Sequence, residues 1–137
     1  MANPLPPPLA TGTIGEILVQ LRLLQFGVQA APPIKDTGND LVAFRRRTVR
    51  TLQVKTSARR ISQDRRLPEH YEILALVSLH SYEGVVALDA SRVFLVPRVL
   101  VMDTCRNLRS LVQYELRHDD VEHSLGLLEH LFGPDEF

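Results

Sequence analysis

The amino-acid sequence predicts an α/β fold, with a mixed β-sheet of about four or five strands flanked by helices. Helical patterns lie near both ends of the chain, and short runs rich in aliphatic residues lie between them. The chain has 137 residues, 45% of them hydrophobic, which is the size of one domain and enough to bury a core. We therefore expect a single domain over residues 13–137, preceded by a flexible, proline-rich arm at residues 1–12.

The first helix is expected to begin at Thr13 or Ile14 and to end at Gly27, which suits the position after a helix. Its apolar residues have helical spacing and are Ile14, Ile17, Leu18, Leu21, Leu23 and Leu24. Thr13 and Glu16 have the spacing of a capping box, in which each side chain accepts a backbone N–H of the other residue. Glu16 is therefore either a cap or a functional acid, and the local sequence leaves both interpretations open.

The strands are predicted from short apolar or alternating runs bounded by turn residues. Residues 41–44 and 49–56 are close enough to pair as an antiparallel hairpin, and residues 71–79 are apolar enough for a central strand covered on both faces. The other predicted strands are 28–31, 85–88, 92–96 and an edge strand at 111–117. A last helix is expected to begin after Asp119 or Asp120 and to end at Phe132, before Gly133 and Pro134.

Acidic, amide and lysine side chains converge on the predicted hairpin. Asp40 precedes its first strand, and Gln53 and Lys55 lie two apart on its second, so their side chains share one face. Mg²⁺ prefers oxygen ligands and takes one or two carboxylates, which Asp40 and Glu16 could supply together with the backbone carbonyl of Val54. Lys55 could orient an attacking water or offset charge on a phosphate, and Gln53 could hold a metal-bound water. These residues predict a Mg²⁺ or Mn²⁺ site for phosphodiester hydrolysis.

Positive charge is concentrated beside this constellation, although the net charge of the chain is zero. Nine of the sixteen Lys and Arg residues lie between positions 45 and 66. A local basic patch of this kind can bind DNA phosphates, and an ordinary solvated surface is the alternative. The predicted DNA contacts are Arg45, Arg46, Arg47, Arg59, Arg60, Arg65 and Arg66.

The motifs T-I-G-E, G-N-D-L-V-A and L-Q-V-K-T-S together resemble the PD-(D/E)xK nuclease superfamily, which has the restriction-endonuclease-like fold. The Q-V-K-T form is most similar to the branch that contains a cyanobacterial intron-encoded homing endonuclease. The resemblance implies that Glu16 is the helix acid, Asp40 the strand acid, Gln53 the acid-or-amide position and Lys55 the lysine. It implies a metal-dependent DNA endonuclease, either resolvase-like or restriction-like. Gln53 replaces the more usual acid, which favours one metal ion over two, and Asn39 replaces the usual proline before the strand acid.

Two other functional classes remain open from the residues. The same fold also serves as a catalytically silent DNA-binding or assembly module. In a purely structural protein, the acids and the lysine would form only a salt bridge. The histidine pairs His118–His123 and His123–His130 lack the spacing by which a helix binds zinc.

The remaining expectations concern compartment and assembly. Cys105 is the only cysteine, so no intrachain disulfide is possible, and no membrane span or secretory signal is indicated, which fits a cytoplasmic protein. A nuclease with one site needs a second copy to cut both strands of a duplex, so a homodimer is expected. Residues 99–102, residues 111–117 and the last helix either form that interface or complete the core of the monomer.

Overall fold

The computed structural model describes residues 7–35, 38–57, 70–101 and 108–134. The helices are α1 (Pro7–Gln25), α2 (Leu108–Leu111) and α3 (Val121–Phe132), with short 3₁₀ helices at Arg98–Leu100 and Val112–Tyr114. The strands are β1 (Gln29–Ala31), β2 (Leu41–Arg45), β3 (Thr48–Ser57), β4 (Ile73–Ser78), β5 (Ser81–Tyr82), β6 (Val85–Val86) and β7 (Arg92–Pro97).

Five of these strands form one mixed sheet in the order β1-β2-β3-β4-β7. The pairs β1–β2, β2–β3 and β4–β7 are antiparallel, and β3 and β4 are parallel. The predicted α/β class, the mixed sheet and the antiparallel hairpin are therefore confirmed. β5 and β6 form a separate hairpin, so the strand predicted at residues 85–88 is shorter than expected and lies outside the main sheet.

The sheet is covered on both faces. On one face, Leu52, Val54, Ile73, Ala75 and Val77 belong to an apolar cluster with buried residues of α1 and α3. On the other face, a second cluster joins β4 and β7 to the segment around α2; its buried members are Tyr71, Leu74, Leu76, Phe94, Val96, Val101 and Leu111. β4 contributes to both clusters, which confirms the prediction of a central strand buried on both sides.

α1 begins at Pro7, six residues before the earliest predicted start, so the predicted beginning of this helix is wrong. Prolines are tolerated in the first turn of a helix, where the N–H they lack has no partner within the helix. Thr13 lies inside the helix and cannot cap it, so the capping-box interpretation of Glu16 is also wrong. The predicted end is confirmed: Gly27 has φ 77°, and its N–H donates to the Leu24 carbonyl oxygen at 3.0 Å.

The predicted edge strand at residues 111–117 is wrong. Leu111 ends α2, and the chain continues through a 3₁₀ turn to Glu115, which makes a single bridge to Phe94. Leu111 and Tyr114 are three residues apart and both pack against the second cluster, a spacing that a helical turn provides. This segment therefore contributes to the monomer core.

The last helix is confirmed. The Asp120 carboxylate accepts the N–H of His123 at 3.2 Å, as expected of an N-cap residue. Leu128, Leu131 and Phe132 are buried against the sheet, whereas Leu125 is exposed. No helix in the described ranges has both the length and the apolar character needed to cross a membrane.

Candidate active site

The candidate site lies where β2 begins, opposite the middle of β3. The last pair of the ladder joins Leu41 to Leu52, and β3 then extends through Ser57. Asp40 occupies this position, and its backbone N–H donates to the Leu52 carbonyl oxygen at 3.1 Å. Beyond Leu52, β3 therefore has no paired strand on the side of β2. Side chains can reach the backbone N–H and C=O groups on that edge.

The Asp40 carboxylate fills part of that gap. Its Oδ2 atom accepts the Gln53 amide Nε2 at 2.8 Å and the Val54 backbone N–H at 2.9 Å. Because the N–H and C=O of one strand residue point to the same side of the strand, the Val54 carbonyl oxygen faces the same gap. The structure thus brings together Asp40, Gln53 and the backbone of Val54, as the spacing of the motifs predicted.

The Gln53 side chain is held with its oxygen unpaired. It is only 9% exposed, its Nε2 donates to the Asp40 carboxylate, and its Oε1 has no hydrogen-bond partner. An ionised carboxylate can only accept, so the amide nitrogen must face Asp40 and the amide oxygen must face away. A buried acceptor without a partner is costly, and its presence points to a ligand or water at this position.

Two further buried side-chain oxygens without hydrogen-bond partners belong to residues near these in the sequence. They are Asn39 Oδ1, on the residue before Asp40, and Thr56 Oγ1, on the residue after Lys55. In the described ranges, these two atoms and Gln53 Oε1 are the buried side-chain nitrogen and oxygen atoms that have no hydrogen-bond partner. No local sequence pattern indicates a role for Thr56, because its burial depends on the approach of Gly15 on α1.

Glu16 reaches the site because α1 lies very close to β3. A Cβ atom added at Gly15 would lie 1.8 Å from Thr56 Oγ1, so only glycine permits this approach. Burial raises the pKa of the Glu16 carboxyl above its usual value, and the negative charge of Asp40 raises it further. The helix acid and the strand acid are thus close enough to repel each other, although 24 residues separate them in the sequence.

Lys55 lies on the same face of β3 as Gln53, since the two residues are two apart in a regular strand. In the parallel ladder Gln53 is opposite Leu74 and Lys55 is opposite Leu76. Both therefore lie on the face of the second cluster, whereas Val54 between them lies in the first cluster. The Lys55 side chain is half-buried.

The donors at this site fit a hard divalent cation. Glu16, Asp40, the Gln53 amide and the Val54 carbonyl offer oxygen atoms, which Mg²⁺ and Mn²⁺ prefer over nitrogen and sulfur. No group of three or more His, Cys, Asp or Glu side chains able to hold a metal occurs in the described part of the chain. The pair Glu16 and Asp40 contains two such side chains and so would not form a group of three. Mg²⁺ commonly takes only one or two carboxylates from a protein.

The predicted DNA contacts are divided between the β2–β3 turn and residues outside the described ranges. Arg45 donates to the Gly133 carbonyl oxygen at 3.0 Å, so its guanidinium stabilises the end of α3. Arg46 and Arg47 are exposed at the turn, where Arg46 has a positive φ of 57°. Arg59, Arg60, Arg65 and Arg66 lie outside the described residues.

A separate depression of about 690 Å³ lies away from these residues, beside α3. His123 and His130 line it with Glu122 and Asp120. The His123 ring Nε2 is already hydrogen-bonded to the Glu115 carbonyl oxygen at 2.9 Å. The two histidines are seven residues apart, which is not the spacing by which a helix binds zinc.

The protein has an α/β fold with a five-stranded mixed sheet, in which the Asp40 carboxylate meets the Gln53 amide and the Val54 N–H beside β3, with the Glu16 carboxyl of α1 nearby. Comparisons with protein-family models, with curated proteins and with solved structures found no match. The interpretation of the site therefore depends on the chemistry of its own side chains.

Proposed function

We propose that this protein is a divalent-metal-dependent deoxyribonuclease and that Glu16, Asp40, Gln53 and Lys55 form its active site. The observation that carries the proposal is the arrangement around Asp40. Its carboxylate is fixed by Gln53 and Val54 and lies close enough to Glu16 to raise the pKa of that second acid. Two acids held together against their repulsion are typical of a cation site.

The unpaired Gln53 oxygen supports the same proposal independently of the charges. A polar atom that is buried without a partner destabilises the protein by about 1–3 kcal/mol. A bound cation, or a water held by one, would remove that penalty and the repulsion between Glu16 and Asp40. The resemblance of the three sequence motifs to the PD-(D/E)xK superfamily, and the mixed sheet flanked by helices, are compatible with a restriction-endonuclease-like core.

The chain's own residues have distinct roles in the proposed reaction. Glu16, Asp40 and the Val54 carbonyl would hold the metal. When bound, it would neutralise the phosphate and activate water for attack. The Gln53 oxygen would orient a water, because its amide nitrogen is already fixed by Asp40. Lys55 would place a compact positive charge beside the phosphate and stabilise the charge that develops there.

Arg46 and Arg47 would contribute to DNA binding from the β2–β3 turn. Arg46 adopts a backbone conformation that a non-glycine residue takes only at some energetic cost, and such strain is often found at functional positions. Arg45 is less suited to this role, because its guanidinium already donates to a carbonyl oxygen of α3's C-terminal end. The proposed patch therefore depends on the exposed residues of the turn.

Cleavage by the full chain is the direct test. The substrates are supercoiled plasmid, linear duplex and a branched DNA junction, each incubated with Mg²⁺, with Mn²⁺ or with a chelator. We expect cleavage that requires the metal and falls at least a hundredfold in Lys55→Met, which loses a charge contact to the transition state. Lys35→Met is the matched control, since Lys35 is an exposed lysine on another part of the chain.

Calorimetric titration with Mn²⁺ separates the competing functions. Metal binding that Asp40→Asn abolishes, without cleavage of any substrate, would favour a catalytically silent DNA-binding or assembly module. Wild-type protein that neither binds metal nor cuts DNA would assign the acids and the lysine to the fold alone.

A further inference from the structure

The outer face of α1 is apolar and has no covering element in the described residues. Ile17, Leu21 and Leu24 are 58%, 44% and 59% exposed. The opposite face packs on the sheet through Leu18 and Leu23, which are 2% and 0% exposed. The exposed residues are therefore a second apolar stripe, beyond the one that holds the helix in the monomer.

This outer stripe has the spacing of a coiled-coil seam. Its positions are separated alternately by four and three residues and are Ala10, Ile14, Ile17, Leu21 and Leu24. Apolar residues at this average spacing of 3.5 lie along one side of a helix and pack against a partner helix. Ala10 is partly buried, and Ile14 is partly buried against the first apolar cluster, so the exposed part of the stripe runs from Ile17 to Leu24.

The outer face also lacks charge. Between residues 10 and 25 the charged side chains are Glu16 and Arg22, and both are turned towards the protein. Arg22 is 5% exposed and donates to the carbonyl oxygens of Leu88 and Ser91, and Glu16 lies near Asp40. Contiguous exposed apolar surface marks protein–protein contacts, so this face is suited to burial in an assembly.

We propose that α1 of a second copy of this chain covers the stripe, with the two helices related by a two-fold axis. A two-fold interface requires one surface to complement itself, and an uncharged apolar seam does so without repulsion between like charges. The proposal is independent of catalysis at the candidate active site.

The size of the seam predicts a weak dimer. Fifteen residues of α-helix span roughly 22 Å, which restricts contact to a narrow strip on each copy. Such a strip belongs with small interfaces, those that bury below about 1,200 Å² in total. We therefore expect monomer and dimer to exchange, with the dimer favoured as the protein concentration rises.

Light scattering on the full chain over a series of micromolar concentrations tests the proposal. The wild-type mass should rise from the 15.5 kDa of one chain towards twice that value. In a dimer, Leu21→Glu would place one buried negative charge on each of the two helices. This variant should therefore remain a monomer at every concentration. Val99→Glu is the matched control, because Val99 is 86% exposed and outside the seam, and it should dimerise as the wild type does.

Cysteine cross-linking provides a second readout that does not depend on the charged variant folding. Ile17 is the middle position of the seam, so where the two seams pair over their full length it meets its own copy across the two-fold axis in either helix orientation. With Cys105→Ser removing the native thiol, Ile17→Cys should form a disulfide-linked dimer on mild oxidation, faster than Val99→Cys does. A wild-type chain that stays monomeric at all concentrations would overturn the proposal. Equal cross-linking at the two positions would overturn it as well.

Discussion

Replacement of Asp40 should affect stability and metal binding to different degrees, depending on the residue introduced. The Asp40 carboxylate accepts hydrogen bonds from both the Gln53 amide and the Val54 N–H. Asp40→Ala removes both and leaves two donors without their partner. Asp40→Asn keeps an acceptor oxygen of similar shape but removes the charge that would hold a cation. The two variants therefore separate the structural role of Asp40 from its proposed functional role.

The expected magnitudes follow from the two hydrogen bonds. A hydrogen bond to a charged group contributes about 1.5–3 kcal/mol when buried, and Asp40 is only partly buried, so Asp40→Ala should lower the free energy of unfolding by about 2–3 kcal/mol. For a chain of this size that corresponds to a fall in Tm of roughly 10 °C. Asp40→Asn weakens the bonds but also relieves the repulsion of Glu16, so its change should be within about 1 kcal/mol.

Urea denaturation measures the change in the free energy of unfolding, and thermal melting with and without Mn²⁺ measures metal binding. Bound metal should raise the Tm of the wild type, and neither Asp40 variant should respond. Asp120→Ala is the matched control: it removes an aspartate hydrogen bond at the start of α3 and should keep the full response to Mn²⁺. An alanine variant as stable as the wild type would refute the hydrogen-bond argument. A full Mn²⁺ response in Asp40→Asn would refute the assignment of Asp40 as a ligand.

Three further predictions concern the helix approach, the basic turn and the buried acid. Gly15→Ala should destabilise the fold and reduce metal affinity, because its Cβ meets β3 at 1.8 Å, whereas Gly12→Ala, with nothing within 4 Å, should be neutral or stabilising in denaturant titrations. Arg47→Ala should reduce the log–log salt slope of binding to uncleaved duplex DNA by about 0.9 per lost phosphate contact, and an unchanged slope would remove Arg47 from the interface. Because the pKa of Glu16 is higher in the folded protein than in the unfolded chain, protonation of Glu16 favours folding. This stabilisation is present below the pKa of the unfolded chain and is lost as the pH rises through the pKa of the folded protein. Glu16→Gln should therefore stabilise the metal-free protein at neutral pH but not in acid, and equal unfolding free energies at neutral pH would contradict this.

The parts of the fold that the sequence predicted well are those specified by local patterns. Alternation and turn residues located β2 and β3, and their short connection determined that they pair antiparallel. The proximity of Asp40 to Gln53 follows from the same hairpin, because the ladder register places the start of one strand opposite the middle of the other. Residues brought together within one hairpin can be predicted from spacing alone.

The elements that the sequence did not predict depend on tertiary packing. The prolines at positions 7 and 8 suggested an extended arm, but they lie in the first turn of α1, where proline carries little cost. Leu111 and Tyr114 suggested an edge strand, but both pack on one apolar cluster in a helical conformation. The unpaired oxygen of Thr56 depends on the approach of Gly15, which no local pattern indicates.

Glu16 shows how the position of a helix start decides between two interpretations of one residue. The sequence allowed Glu16 to be a helix cap, and a cap would account for its carboxylate without any ligand. Because α1 begins at Pro7, the backbone N–H groups around Thr13 lie within the helix and need no cap. The carboxylate is instead partly buried near Asp40, where burial and like charge both oppose its ionisation. The proximity of the two carboxylates is unfavourable in the metal-free protein and would become favourable with a cation between them. The change in Tm that Mn²⁺ produces in Glu16→Gln therefore bears most directly on the function proposed for this site.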